Sequence, residues 1–206
     1  MSNAVYTIGH SVHPIDAFIN LLTRHEVTAV ADVRSSPYSR FNPQFNRETL
    51  KCALEHVRIE YVFLGDELGA RSRDRACYVN GQVRYDLLAS TWPFQRGLDR
   101  IAQCAEKHRI ALMCAEKEPL ACHRAILVSR HLVARGIVVQ HILEDGSLQG
   151  HDGALSRLLA ELGLPDHDLF RSREEIVDEA YRRRGEEIAY TEEACADEQA
   201  APGVVR

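Results

Sequence analysis

IALMCAEKEPLACHRAILVSRHLVARGIVVQHI, residues 110–142, is the stretch on which the fold turns. Ile110–Met113 is a continuous apolar run, the pattern of a strand buried on both faces. A polar loop, Cys114–Pro119, follows, and the apolar spacing from about Leu120 to Arg135 reads as a helix. Gly136 stands where a helix needs a residue in the left-handed conformation to stop. Val138–Ile142 is then a second apolar strand. Strand, helix and strand in this order, each strand continuously apolar, argue a parallel sheet.

The same alternation extends outward in both directions. Val5–Ile8 reads as a strand ending in Gly9-His10-Ser11, and Pro14 opens a helix to about Arg24. Val27–Val33 is β-branched and apolar, and Ser35-Ser36-Pro37 breaks it. Asn46 is a capping residue for a helix over Arg47–His56, and Ile59–Phe63 is a third strand. Leu64–Ala76 reads as irregular. Asn80-Gly81 between Cys77–Val79 and Gln82–Tyr85 is a strong hairpin signal. Pro93 opens a helix to about His108, and Ala154–Leu162 makes another. These elements predict an α/β fold: a mostly parallel sheet with helices on both faces, one inserted β-hairpin and a helical C-terminal extension. Residues 4–163 form the α/β domain, and 164–190 form a charged extension with a helix over Phe170–Ile188. Residues 191–206 are acidic, Ala-rich and lack aromatics, which predicts a disordered tail.

The chain has 206 residues, 45% hydrophobic and 27% charged, enough to bury a core without disulfide or metal staples. It carries no apolar run of membrane-spanning length, so no membrane partner is expected. The first residues have neither a basic segment nor a long apolar stretch and read as no secretory leader. A cytoplasmic, reducing location follows, in which the six cysteines are thiols, ligands or nucleophiles before they are disulfides. Net charge is −5, which lends no bulk support to nucleic-acid binding, although a local basic patch is compatible with it.

Ligands of open α/β sheets bind outside the carboxyl ends of the strands. In chain order those ends carry His10 and Ser11, Asp32 and Arg34, Cys114 and Glu116, and His141. The loop after Cys114 leads to Cys122, His123 and Arg124, expected in the first turn of a helix, where free amides favour a thiolate or a bound anion. The plain alternative is that both cysteines only pack. A cysteine-phosphatase loop, Cys-x5-Arg, is absent, since Leu120 and Val128 stand six residues after the two cysteines. A metal site would use Cys114, Cys122 and His123, but the second close pair of a structural zinc site is missing. The third reading joins Arg34, Arg40 and Arg124 around a phosphate or carboxylate. The hydroxyls and aromatics of the 34–42 segment, Tyr38 and Phe41 among them, suit a phosphorylated ligand or single-stranded nucleic acid. Gly65–Gly69 lacks the spacing of a phosphate-binding glycine loop, and no cofactor is indicated. Cys52 and Cys104, inside amphipathic helices, are expected to be slow to alkylate.

On these residues the chain resembles the bacterial and archaeal family catalogued as domain of unknown function 488. The pattern runs through Thr7-Ile8-Gly9-His10-Ser11, Asp32-Val33-Arg34, Pro37, Ser39, Arg40, Tyr61 and Leu68-Gly69. It continues through Met113–Glu116, Cys122-His123-Arg124 and Val138–Ile142. The resemblance implies an α/β fold and marks these positions as the family's signature, but implies no activity. A second similarity, to rhodanese-type domains, rests on Asp32-Val33-Arg34, Cys114 and Gly136–Val139. A rhodanese loop contains glycine, whereas Ala115–Ala121 carries Glu116, Lys117 and Glu118.

The combined expectation is an enzyme using acid–base or thiol chemistry on a phosphorylated ligand, such as a nucleotide or a nucleic-acid end. His10, Asp32, Cys114, Glu116, Cys122 and His123 would be catalytic, and Ser11, Arg34, Ser39, Arg40, Tyr61 and Arg124 would bind the ligand. The alternatives are a non-catalytic module that binds nucleic acid or protein, and a rhodanese-like sulfurtransferase or metal-binding protein. The oligomeric state is left open.

Overall fold

A computed structural model describes residues 4–192. β1 (Val5–Gly9) leads through Pro14 into α1 (Ile15–Arg24). β2 (Ala29–Asp32), α2 (Arg47–His56) and β3 (Glu60–Phe63) follow. Next come a one-turn α3 (Gly65–Leu68), a hairpin of β4 (Tyr78–Val79) and β5 (Gln82–Val83), then α4 (Tyr85–Ser90) and α5 (Trp92–Ala105). The second half holds β6 (Ile110–Cys114), α6 (Arg130–Ala134), β7 (Val139–Ile142), β8 (Leu148–Gly150), α7 (His151–Glu161) and α8 (Arg173–Ile188). No helix among the described residues is long and apolar enough to cross a membrane.

The sheet order is β3-β2-β6-β1-β7-β8, parallel except for the edge strand β8. The chain thus steps outward through β2 and β3, then returns to insert β6 between β1 and β2. The carboxyl ends of β1, β6 and β2 therefore lie side by side, with Gly9 opposite Cys114 and Asp32 opposite Met113.

The strands are apolar throughout because both faces are covered. Tyr6, Ile8, Val30, Ala111 and Met113 pack against Phe18 and Leu22 of α1 and Leu50 and Leu54 of α2. Their alternating neighbours, Val5, Ala29, Ala31, Ile110 and Leu112, pack against Phe94, Leu98 and Ile101 of α5 and Leu132 of α6. The mixed α/β architecture, the hairpin and the C-terminal helix are as expected. Asn80 and Gly81 both take positive φ (52° and 75°), as a two-residue hairpin turn demands. Gly136 stops α6 at φ 78°, its amide donating to the Val133 carbonyl. Ser172 and Glu175 form a reciprocal capping box on α8.

The structure corrects several boundaries. The stretch expected to be irregular contains α3. The second hairpin strand stops at Val83, and Tyr85 begins α4 instead, its alternation with Val83 mimicking a strand. β8, an antiparallel edge strand, carries too few apolar residues to announce itself. The helix expected over Leu120–Arg135 is three pieces: a 3-10 turn at Pro119–Ala121, a π-helical stretch at Arg124–Ser129, and α6. Cys122 sits extended between the first two (φ −138°, ψ 140°), so it is not in a helical turn. The Ser129 hydroxyl also donates to the Arg124 carbonyl (2.6 Å), tying the two ends of this wide turn together. The tail expected to be disordered lies, from residue 193, outside the described residues.

Candidate functional site

The loop after β6 is built around two requirements. It crosses the end of β1, where His10 and Ser11 amides donate to the carbonyls of Cys114 and Ala115 (2.9 and 2.8 Å). A Cβ on Gly9 would lie 1.9 Å from the Glu116 carbonyl oxygen, so only glycine lets the loop pass. The loop is then held from behind by Arg124, which is fully buried and donates to the Glu116 and Lys117 carbonyls. Glu118 turns away from the sulfurs, accepting from the Leu120 amide and from Arg157.

This places Cys114, Glu116, Cys122 and His123 along a cleft of about 450 Å³. Cys114 Sγ donates to Glu116 Oε2 (3.1 Å) and lies 3.7 Å from His123 Nδ1. Cys122 Sγ lies 3.8 Å from the same nitrogen and accepts from the Arg124 amide (3.5 Å). His123 Nε2 donates to the Val33 carbonyl (3.0 Å), which can only accept, so Nδ1 is the atom turned towards both sulfurs. The two sulfurs and Nδ1 all lie within 4.8 Å of one another, and these three residues are the set among the described ones able to hold a metal ion.

Electrostatics separate the two thiols. Burial opposes ionisation of Cys122, but the Cys114 hydrogen bond, the Arg124 charge and His123 outweigh it and hold its thiol well below the usual range. Cys114, whose one S–H can reach either Cys122 or Glu116, is pushed up by its contact with Cys122, by burial and by the Cys122 and Glu116 charges. Burial would lower His123, yet Cys122 beside it raises it. Glu116 is raised by burial and by Cys122. These opposite directions favour ionisation of Cys122 over Cys114, with His123 as the group that gains from a charged Cys122.

His10, Asp32, Arg34 and Tyr61 form a separate cluster. Asp32 accepts from Arg34 Nε (2.9 Å), Arg34 Nη2 (2.6 Å), the Arg34 amide (3.1 Å) and Tyr61 Oη (2.8 Å). Arg34 also donates to the Phe45 carbonyl (2.8 Å) and faces His10 Nε2 (3.2 Å), while His10 Nδ1 bonds the Ser11 carbonyl (2.9 Å). His10 stacks on Phe45 and is pushed down to about 4, mainly by burial. Of the four, only Arg34 lines the cleft. His141 is also remote, in a buried chain running Thr7–His141–His151–Tyr181 that fastens α7 and α8 to the sheet.

The expected convergence of Arg34, Arg40 and Arg124 is therefore not what the structure builds. Arg124 holds loop carbonyls, Arg34 is held by Asp32, the Phe45 carbonyl and His10, and Arg40 is exposed with its guanidinium over Phe41. Ser39 accepts from the Phe41 and Asn42 amides and shapes its own turn, and Ser11 shapes the turn after β1. The cleft instead carries Arg71, whose guanidinium lies over the Tyr190 ring and makes no ion pair among the described residues. Ser35, Ser36, Tyr38, Tyr85 and Tyr190 complete its polar and aromatic wall. Tyr190 is brought there because residues 190–192 join the hairpin: the Val83 amide donates to Tyr190 and the Glu192 amide to Gly81. Cys52, expected to pack, is exposed on α2, and Cys104 is half-buried.

A family model described as a domain of unknown function, DUF488, matches residues 14–131, more than half of the chain. No curated protein and no solved structure matches. The comparisons do not show the similarity to rhodanese-type domains. The chain, with its strand-end thiols and the Asp32–Arg34 pair inside the matched span, belongs to the DUF488 family.

Proposed function

We propose that this protein is a thiol-dependent enzyme in which Cys122 is the nucleophile and His123 its acid–base partner. The observation that carries this reading is the setting of Cys122 Sγ. It lies on an open cleft, against the Arg124 amide and beside a ring nitrogen whose orientation is fixed by the bond from Nε2 to the Val33 carbonyl. An amide at a helical start and an adjacent imidazolium are the two groups that stabilise a thiolate. Cys122 attacks the electrophilic centre, and the His123 imidazolium returns a proton to the leaving group. Glu116 stands on the same wall to take a proton from the group that resolves the covalent intermediate.

The ligand class follows from the mouth of the cleft. Arg71, Ser36 and the aromatic rings suit an anionic, flat-faced ligand, with a phosphorylated nucleotide or nucleic-acid end as the fitting chemistry. Among the described residues the Arg124 amide is the only backbone amide that donates to either sulfur, so the phosphate is the handle and not the attacked group. The non-catalytic binding module is the second reading, favoured by the same aromatic and Arg71 wall.

Limiting iodoacetamide, with and without a nucleoside 5′-monophosphate, tests both parts by mass spectrometry of each cysteine. The expected outcome is modification of Cys122 before Cys77 and Cys104, with protection by the nucleotide that Arg71→Met removes. Slow modification of Cys122 would reject the nucleophile. Reactivity without protection would reject the ligand class alone.

A further inference from the structure

We infer that Cys114, Cys122 and His123, with Glu116 as fourth donor, form a binding site for a thiophilic divalent cation, zinc foremost. The inference goes beyond the nucleophile reading and stands without it, since it rests on donor geometry alone. Tetrahedral zinc, with Zn–S near 2.3 Å and Zn–N near 2.0 Å, separates a sulfur from a nitrogen ligand by about 3.6 Å. His123 Nδ1 stands 3.7 Å from Cys114 Sγ and 3.8 Å from Cys122 Sγ. Two edges of a tetrahedral face thus already stand near their lengths, and the two sulfurs lie within 4.8 Å of each other.

The surroundings match what a ligating histidine needs. Its other nitrogen donates to a backbone carbonyl, at Val33, which fixes the ring and leaves Nδ1 facing the ion. Glu116 Oε2 stands 3.1 Å from Cys114 Sγ but outside the set formed by the two sulfurs and Nδ1, so it becomes the hard fourth ligand only by turning in from the cleft side. Two thiolates, a carboxylate and a dication sum to one negative charge, which the buried guanidinium of Arg124 directly behind the loop offsets. On binding, the proton that Cys114 shares with Glu116, and any on Cys122 Sγ or Nδ1, leave to solvent, and no electron is transferred. The ion would occupy the sulfur that attacks, so cation and electrophile compete for Cys122.

The test uses the full chain, reduced and freed of metal with a chelator, titrated with cobalt(II) and then zinc(II). The expected result is one cobalt per chain, with thiolate-to-cobalt charge-transfer absorption and the strong visible bands of tetrahedral coordination, both erased by zinc. Cys114→Ser and Cys122→Ser should each abolish the charge-transfer signal at one equivalent, while Cys52→Ser leaves it intact. Glu116→Gln should weaken affinity by about ten-fold or more, the usual effect of altering a weaker ligand or its support. Far-ultraviolet circular dichroism of each variant separates lost ligands from lost fold. Absence of charge-transfer absorption in the folded, reduced wild type would overturn the site, as would a signal that survives Cys122→Ser. Alkylation of the metal-free protein is read separately. Fast Cys122 labelling without cobalt binding therefore sinks only the metal site, and cobalt binding with slow labelling sinks only the nucleophile.

Discussion

Asp32 and Cys114 close neighbouring strands one register step apart, yet their side chains leave opposite faces of the sheet. Asp32 enters a cluster in which the hydrogen-bonding groups of Arg34, Tyr61 and His10 are spent on one another and on the Phe45 and Ser11 carbonyls. Cys114 enters a cluster whose two sulfurs, carboxylate and imidazole face a cleft and share one nitrogen between them. A saturated polar network holds shape, because each member is already paired. An under-saturated one beside open space is equipped to act on something else. The first cluster pins the 34–46 segment to the sheet, and the second is the chemical centre.

The sharpest way to break this division is to disturb the saturated cluster. Arg34→Met leaves the Asp32 carboxylate buried without its cation and is expected to cost about 3–5 kcal/mol, read from urea unfolding. A loss under about 1 kcal/mol would mean the pair is not a structural element.

Acid is the next lever, and it works in opposite directions on the two sides. Burial holds His10 and His151 down to about 4 and His141 to about 3, so these fold as neutral rings. Between their folded values and the unfolded value near 6.5, the unfolded chain binds the extra protons. Their stabilisation is therefore complete above about pH 6.5 and is lost as the pH falls towards 4, on the order of 3 kcal/mol per histidine. His123 is raised by Cys122, so its share is present below the unfolded value and lost as the pH rises. Unfolding midpoints measured from about pH 7 to pH 4 should fall, and His10→Gln should flatten the slope while His123→Gln should not.

Gly9→Ala tests whether the two clusters share the loop that crosses β1. The added methyl meets backbone at Glu116, and a loss of about 1–3 kcal/mol is expected, together with slower labelling of Cys122. Retained labelling would show that the loop can shift without moving the sulfurs. The smallest effect is reserved for Arg40→Gln, which should stay within about 0.5 kcal/mol and leave nucleotide protection unchanged. Lost protection would restore Arg40 to the ligand site.

The parallel sheet was legible because strands buried on both faces are continuous apolar runs, and their ends identify one edge. That is why His10, Asp32, Cys114 and Glu116 are all found there. Which of them share a face was not legible. The face depends on register between strands distant in sequence, and the pairing of Asp32 with Met113 has no local signature. The break at Cys122 was hidden because the π-helical stretch preserves an apolar face. Arg71 and Tyr190 were missed for a different reason. They meet across the cleft only because the segment after α8 adds to the hairpin, and neither lies in a motif. Tyr38, which does line the cleft, was visible through its mixed segment of arginines, hydroxyls and aromatics.

The most direct test of the division of labour is the alkylation rate of Cys122 relative to exposed Cys52 in the same metal-free molecule. Cys52 is an internal standard, an accessible thiol on α2 remote from the cleft. The account predicts that wild-type Cys122 reacts faster than Cys52 despite its burial. His123→Gln should reverse that order, by about ten-fold or more, without a matching loss of stability. Asp32→Asn should lower stability while leaving the ratio in the folded protein near its wild-type value. A ratio that ignores His123 and tracks Asp32 would contradict the account, placing the chemistry in the cluster read here as scaffold.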